Sequence, residues 1–178
     1  RWRTPPLIPN CIRLNESKAS ALLFFHNNFD KIKIIHFVRY FKSDYSMSNT
    51  YQLIWFRQDL RIHDHAALWH ATKAGPCIAI CILSPTQWQQ HDDAAIKIDF
   101  YLRQLQQLKQ QLARLNIPLI IQNIALWKNI PEYFKNLIEK INIQNVYANI
   151  ELGVNEQQRD RQVQQLLNQH QKELLLLH

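Results

Sequence analysis

The sequence has only two glycines in 178 residues, Gly75 and Gly153. A phosphate cradle of the Walker or GxGxxG type needs several glycines close together, so both are excluded. Cysteine is equally scarce: Cys11, Cys77 and Cys81 form no CxxC pair. Their spacing fits neither a zinc ligand set nor a disulfide scaffold. Cys77 and Cys81 are two alternations apart on one apolar run, so they are expected on one face as small apolar residues. Nothing in this usage calls for an oxidising compartment, and the expected location is cytoplasmic. Long apolar runs are absent too. The longest before Met47 is Ala21–Phe25 and later runs are also short, so no segment is expected to span a membrane. His63, Asp64, His65 and His70 lie close in sequence, but no cysteine or further carboxylate completes a known ligand spacing, and no metal site is assigned.

What is present divides the chain in two. Glutamine does not occur before Gln52, and 19 follow from there. The formal charge of +7 breaks at nearly the same place. Residues 1–46 hold eight of the 21 Lys and Arg and three of the 14 Asp and Glu, a surplus of five; the remainder carries a surplus of two. The first quarter has neither the order of a signal peptide nor the composition of a transit peptide. Met47 is the only methionine. Residues 1–46 therefore read as an irregular leader upstream of a start at Met47, brought in by read-through, with a genuine extension as the rival. Residues 47–178 read as one domain, and both ends of the chain read as cut.

The body alternates strand and helix signals. Gln52–Arg57 (QLIWFR), Cys77–Leu83 (CIAICIL), Leu119–Ile124 (LIIQNI) and Asn145–Ile150 (NVYANI) are short apolar runs suited to buried parallel strands. Asp64 is the expected cap of a helix that stops at Gly75-Pro76. Ile98, Tyr101, Leu102, Leu105, Leu108, Leu112 and Leu115 recur at three and four, opposite a face rich in Gln, Lys and Arg, and Asn116 and Pro118 end that helix. Asn129, Pro131 and Glu132 read as a helix start with capping-box character. Asn155 is the expected cap of the last helix, with Val163, Leu166 and Leu167 facing inward. Strand and helix in alternation predict a parallel sheet covered on both faces. In such folds ligands sit beyond the carboxyl ends of the strands, near a switch in strand order. The loops to watch are Gln58–His63, Ser84–Asp93, Ala125–Lys128 and Glu151–Glu156.

The first of these loops lies within Trp55–Leu68, WFRQDLRIHDHAAL. This stretch resembles the opening signature of the DNA photolyase/cryptochrome family, W-F-R-x-D-L-R-x-x-D-N-x-A-L, with His65 where the family usually has Asn. The likeness continues in order through Ser84-Pro85-Thr86-Gln87-Trp88, Asn116-Ile117-Pro118-Leu119 and Val154-Asn155-Glu156-Gln157-Gln158-Arg159-Asp160. It covers 47–178 and none of 1–46. The resemblance implies an α/β, Rossmann-like parallel sheet flanked by helices. It is nearest to bacterial class I enzymes that repair cyclobutane pyrimidine dimers. In these the N-terminal domain holds a folate antenna, 5,10-methenyltetrahydrofolate, and a larger C-terminal helical domain holds FAD and the UV-damaged DNA. The implied whole protein is a light-driven lyase, monomeric at full length, and no catalytic residue falls within this chain.

The resemblance also assigns cofactor contacts. Asn155 and Glu156 match the pair that holds the pterin ring, and His91 matches the histidine lying against the antenna. A carboxylate accepts two donors from a pterin edge, an amide donates and accepts, and an imidazole offers a flat face. From spacing alone Asn155 and Glu156 equally fit a capped helix start, and His91 an exposed loop histidine. Trp88 is expected to pack at the base of its loop. Arg57, Asp59, Arg61 and Asp64 read as a local ion-pair and capping network joining the first strand to its helix. Two other readings stay open: a cryptochrome that uses the same fold for light signalling, and a non-functional remnant of a photolyase gene. The signature argues against a third, a generic nucleotide-binding α/β domain.

Overall fold

A computed structural model describes residues 50–178, and the leader reading for residues 1–46 lies outside them. Five parallel strands form one sheet in the order β3-β2-β1-β4-β5. They are β1 (Tyr51–Phe56), β2 (Cys77–Leu83), β3 (Leu119–Asn123), β4 (Ile143–Asn149) and β5 (Leu174–Leu177). Helix α1 (Ala66–Ala74) joins β1 to β2, and α2 (Pro85–Gln90) and α3 (Ala95–Arg114) join β2 to β3. A 3-10 turn, Trp127–Asn129, leads into α4 (Ile130–Lys140) before β4, and α5 (Val154–Gln169) precedes β5.

Alternation along the strands builds two cores. Leu53, Trp55, Ile78, Ile80 and Val146 pack with Phe134 and Ile138 of α4 and Val163 and Leu167 of α5. Ile54, Phe56, Ala79 and Cys81 pack with Ala67, Leu68 and Ala71 of α1 and Leu105, Leu108 and Leu112 of α3. Every residue of β1 is buried because both faces of this central strand are covered. Cys77 and Cys81 share the second core, as expected. The chain adds β2 and β3 on one side of β1, then returns to place β4 on the other. The switch in strand order therefore falls between β1 and β4.

Several expectations need correction. A fifth strand was not anticipated: Leu174–Leu177 pairs with β4, with alternate leucines facing the two cores, so a run of one residue type serves both faces. Part of the Ser84–Asp93 loop is helical, beginning at Ser84-Pro85, where proline's fixed φ suits a first turn. Asp64 does not cap α1. It sits at φ 49°, and His65 is the cap, its Nδ1 accepting from Leu68 N at 3.0 Å. Asn155 does not cap α5; the helix starts after Gly153, and Asn155 lies inside the first turn. Asn129 makes no capping bond, because the 3-10 turn runs directly into α4 and leaves it in a helical conformation. Gly75 closes α1 at φ 157°, ψ −165°, a region essentially confined to glycine.

Candidate functional site

Two polar assemblies occupy the carboxyl ends of β1 and β4. The first centres on Asp59. Its Oδ1 accepts from Arg57 N at 3.0 Å, and its Oδ2 accepts from Asn149 Nδ2 at 2.7 Å. His65 Nε2 lies 2.8 Å from the same Oδ2. Since His65 Nδ1 accepts from Leu68 N, the ring proton sits on Nε2, facing the carboxylate. Asn149 Oδ1 in turn accepts from Ala67 N at 2.9 Å. Burial alone would raise the Asp59 carboxyl. The bonds from His65 and the Arg57 N–H outweigh it and hold the group at about 2. This assembly ties the ends of β1 and β4 to the start of α1.

The second assembly is a buried quartet of balanced charge. Arg57 Nη1 lies 2.6 Å from Asp160 Oδ2, and Arg57 Nε lies 3.3 Å from Glu151 Oε2. Arg159 Nη2 reaches Glu151 Oε2 and Asp160 Oδ1, each at 2.7 Å. Arg57, Arg159 and Asp160 are only 5%, 6% and 3% exposed. The quartet fills the crevice where the strand order switches, the usual ligand entry in open α/β sheets. The sequence reading placed Arg57 in a local network. Its partners instead lie about a hundred residues away, on α5 and the loop after β4. Arg61 does stay local, donating to the Asp64 carbonyl. Not all of Arg57 is used: its Nη2 is buried without a hydrogen-bond partner, as is the hydroxyl of Ser84 beyond β2.

From the quartet a column of flat groups runs outward. The Arg57 and Arg159 guanidinium carbons sit 5.1 and 4.8 Å from the Trp55 ring centroid. Arg159 also lies 4.9 Å from the ring of Trp127, in the 3-10 turn after β3. The His91 ring, just past α2, is turned to within 26° of the Trp127 plane at a centroid separation of 6.5 Å. Gln87, one turn earlier, holds His91 Nε2 at 2.8 Å. Trp88 packs edge-on to Tyr101 at 6.0 Å, at the loop base as expected.

Asn155 and Glu156 lie one helical turn before Arg159 on α5, so they share its end of the helix. Among the described residues, neither side chain has a hydrogen bond or ion pair. The Glu156 carboxylate folds back over Gly153, where any side chain would collide with it. Sequence reasoning missed Trp127 and Glu151. Trp127 falls inside the watched Ala125–Lys128 loop, but nothing in its spacing announces a stack with His91. The remaining histidines diverge. His65 turns inward against Phe56 at 4.7 Å, whereas His70 packs edge-on to the exposed Trp69. Burial pushes the Cys77 and Cys81 thiols up to about 11 and about 12, so neither is a nucleophile at neutral pH.

The family model for DNA photolyase matches residues 52–177, from β1 to β5. The chain belongs to the DNA photolyase family. It is 41% identical over 119 residues to the deoxyribodipyrimidine photo-lyase of Vibrio cholerae, covering 66% of this chain and 25% of that protein. The Escherichia coli deoxyribodipyrimidine photo-lyase is 32% identical over 120 residues, with the same two shares. The solved Synechocystis cryptochrome superposes with a TM-score of 0.63 at 25% identity, covering 72% of this chain and 27% of that one. The photolyase-family chain thus spans about a quarter of the length of these relatives. Membership accounts for the Trp55–Leu68 signature: its charged residues brace the photolyase sheet at the switch point. His65, the one departure, both caps α1 and faces Asp59, two contacts an amide also offers.

Proposed function

We propose that this domain is the light-harvesting part of a deoxyribodipyrimidine photo-lyase. In this reading it holds a folate antenna, 5,10-methenyltetrahydrofolate, through His91, Asn155 and Glu156. FAD and UV-damaged DNA belong to a C-terminal helical domain outside this chain. The observation that carries the reading is the unengaged Asn155–Glu156 pair on the first turn of α5, one turn before the Arg159 that packs on Trp127. A carboxylate there accepts two hydrogen bonds from the amino and ring N–H groups of a pterin edge, and the Asn155 amide completes the set. Gly153 leaves Glu156 room to reach the helix start, where the dipole favours its charge. His91 presents a ring face held by Gln87. The bound folate supplies near-ultraviolet absorption, and the domain's own residues bind and orient it. The filled switch point favours this surface over the crevice inside the sheet.

The test is to fuse residues 50–178 to the C-terminal part of the Vibrio cholerae relative and load the protein with 5,10-methenyltetrahydrofolate. A near-ultraviolet band should be retained through gel filtration. Glu156→Ala should weaken retention about tenfold or more, the scale of a lost hydrogen-bonded charge, and leave flavin content unchanged. A band that survives Glu156→Ala unaltered would falsify the Glu156 assignment. The likeness to the Synechocystis cryptochrome supports a second reading, a photoreceptor of the same fold. Dimer-repair activity of the fusion does not separate the two, because that activity lies in the borrowed domain. Repair by the native full-length protein does.

A further inference from the structure

We infer that the face formed by α1 and α3 binds single-stranded nucleic acid, with Trp69 as a stacking platform and Lys73, Lys109 and Arg114 as phosphate contacts. The inference is independent of the antenna reading, whose residues lie beyond the carboxyl ends of the strands.

The distribution of charge carries it first. Helices α1 and α3 cover the same face of the sheet, and they carry Lys73, Lys97, Arg103, Lys109 and Arg114 against the single acid Asp99. The helices on the other face balance: Lys135, Lys140, Arg159 and Arg161 meet Glu132, Glu139, Glu156 and Asp160. Positive charge on the helices is therefore one-sided, the arrangement that attracts a polyanion. Lys97 and Arg103 are engaged by Asp93 at 2.5 Å and Asp99 at 2.8 Å. Among the described residues no carboxylate pairs with Lys73, Lys109 or Arg114. All three lie in the second halves of their helices. Both helices run antiparallel to the strands, so these halves lie toward the amino end of the sheet. Each helix C-terminus contributes roughly half a negative charge there, which three cations exceed.

Exposed apolar surface carries it further. A groove of about 830 Å³ follows α1, lined by Trp69, His70 and Thr72 and by Leu115 and Asn116 just past α3. Trp69 is 58% exposed and Leu115 50%, so the groove offers solvent an indole and an apolar edge. Lys73 Nζ lies 5.6 Å from the Trp69 ring centroid. A base that stacks on the indole takes the place of that ammonium, which then lies beside the adjoining phosphate. Every base has a π-face, so the contact is tolerant of sequence. An acidic peptide answers the cations, but a nucleotide answers the indole and the cations in one repeating unit.

The test is the fluorescence anisotropy of a labelled oligothymidylate titrated with the 178-residue chain at several salt concentrations. Residues 1–46 keep their surplus of charge in every variant, so differences between variants report on the helices. Saturable binding is expected. The triple variant Lys73→Gln, Lys109→Gln, Arg114→Gln should weaken it about tenfold or more at low salt and flatten the logarithmic salt slope by about two. The control Lys135→Gln, Lys140→Gln, Arg161→Gln removes the same charge from the other face and should stay within about threefold. Trp69→Leu should weaken binding about fivefold or more, and Trp69→Phe by less. Urea midpoints check that each variant stays folded. Equal losses in the two triple variants would show that net charge alone binds, and would overturn the assignment of this face. Unchanged binding in Trp69→Leu would overturn the stacking platform. Polyglutamate that competes as strongly as unlabelled oligothymidylate would give the face to an acidic protein instead. An absence of saturable binding overturns the inference outright.

Discussion

A methyl group at residue 153 would strike the Glu156 carboxylate. The backbone there, φ −65° and ψ 145°, suits any residue, so Gly153→Ala should change stability by no more than about 0.5 kcal/mol. It should nonetheless push the carboxylate off the helix start and weaken folate binding several-fold, measured on the same fusion by equilibrium dialysis. Equal affinity in Gly153→Ala would mean that the position of Glu156 in the free domain is irrelevant to binding. His65 supports a second residue-scale prediction. His65→Ala removes the α1 cap and one donor to Asp59, so it should cost about 1–2 kcal/mol in urea denaturation. His65→Asn should recover most of that loss, because an amide oxygen can take the bond from Leu68 N. An Asn variant as unstable as Ala would show that packing of the ring against Phe56 dominates.

At the scale of elements, Asp59 joins three of them: the ends of β1 and β4 and the start of α1. Its carboxyl is held at about 2 against an ordinary 3.8. A depressed acid contributes stability that is complete above the unfolded value and fades as pH falls toward the folded one. The contribution is about 2 kcal/mol, present at neutral pH and lost between about pH 4 and pH 2. Urea midpoints of wild type and Asp59→Asn should therefore converge as pH falls through that window. A gap that persists unchanged at pH 2 would mean that shape, and not charge, sets the role of Asp59. The elements also show what was legible from sequence. The four anticipated strands and the α3 stripe follow from apolar spacing alone, and each lies where its burial requires. Leu174–Leu177 gave no such signal, since four identical residues have no period, and only its pairing with β4 makes it a strand. The α1 cap was read as Asp64 because carboxylates cap more often than imidazoles, yet the positive φ of Asp64 turned His65 into place.

For the whole molecule, the order of the strands decides where a ligand goes. Parallel strands wound outward on both sides of β1 open a crevice at their carboxyl ends. Arg57, Glu151, Arg159 and Asp160 fill it with a balanced charge network in which all but the partly exposed Glu151 are buried. Their partnerships span the chain from the loop after β1 to α5, and a local reading of the signature had no means of finding them. In the proposed reading the ligand surface lies beside the crevice, at His91 and the first turn of α5. The assignment of His91, Asn155 and Glu156 rests on family resemblance, whereas the ring contact between Trp127 and His91 is visible only in the three-dimensional arrangement. The surplus of positive charge lies mostly in residues 1–46. The central claim is that the domain gathers light for a flavin held elsewhere, and its most direct test is the wavelength dependence of repair. In the folate-loaded fusion, near-ultraviolet light should drive dimer repair several-fold better than in the folate-free protein. Glu156→Ala should abolish that gain and leave repair driven by direct flavin excitation unchanged. Equal near-ultraviolet repair with and without folate, or a gain that survives Glu156→Ala, would contradict the account.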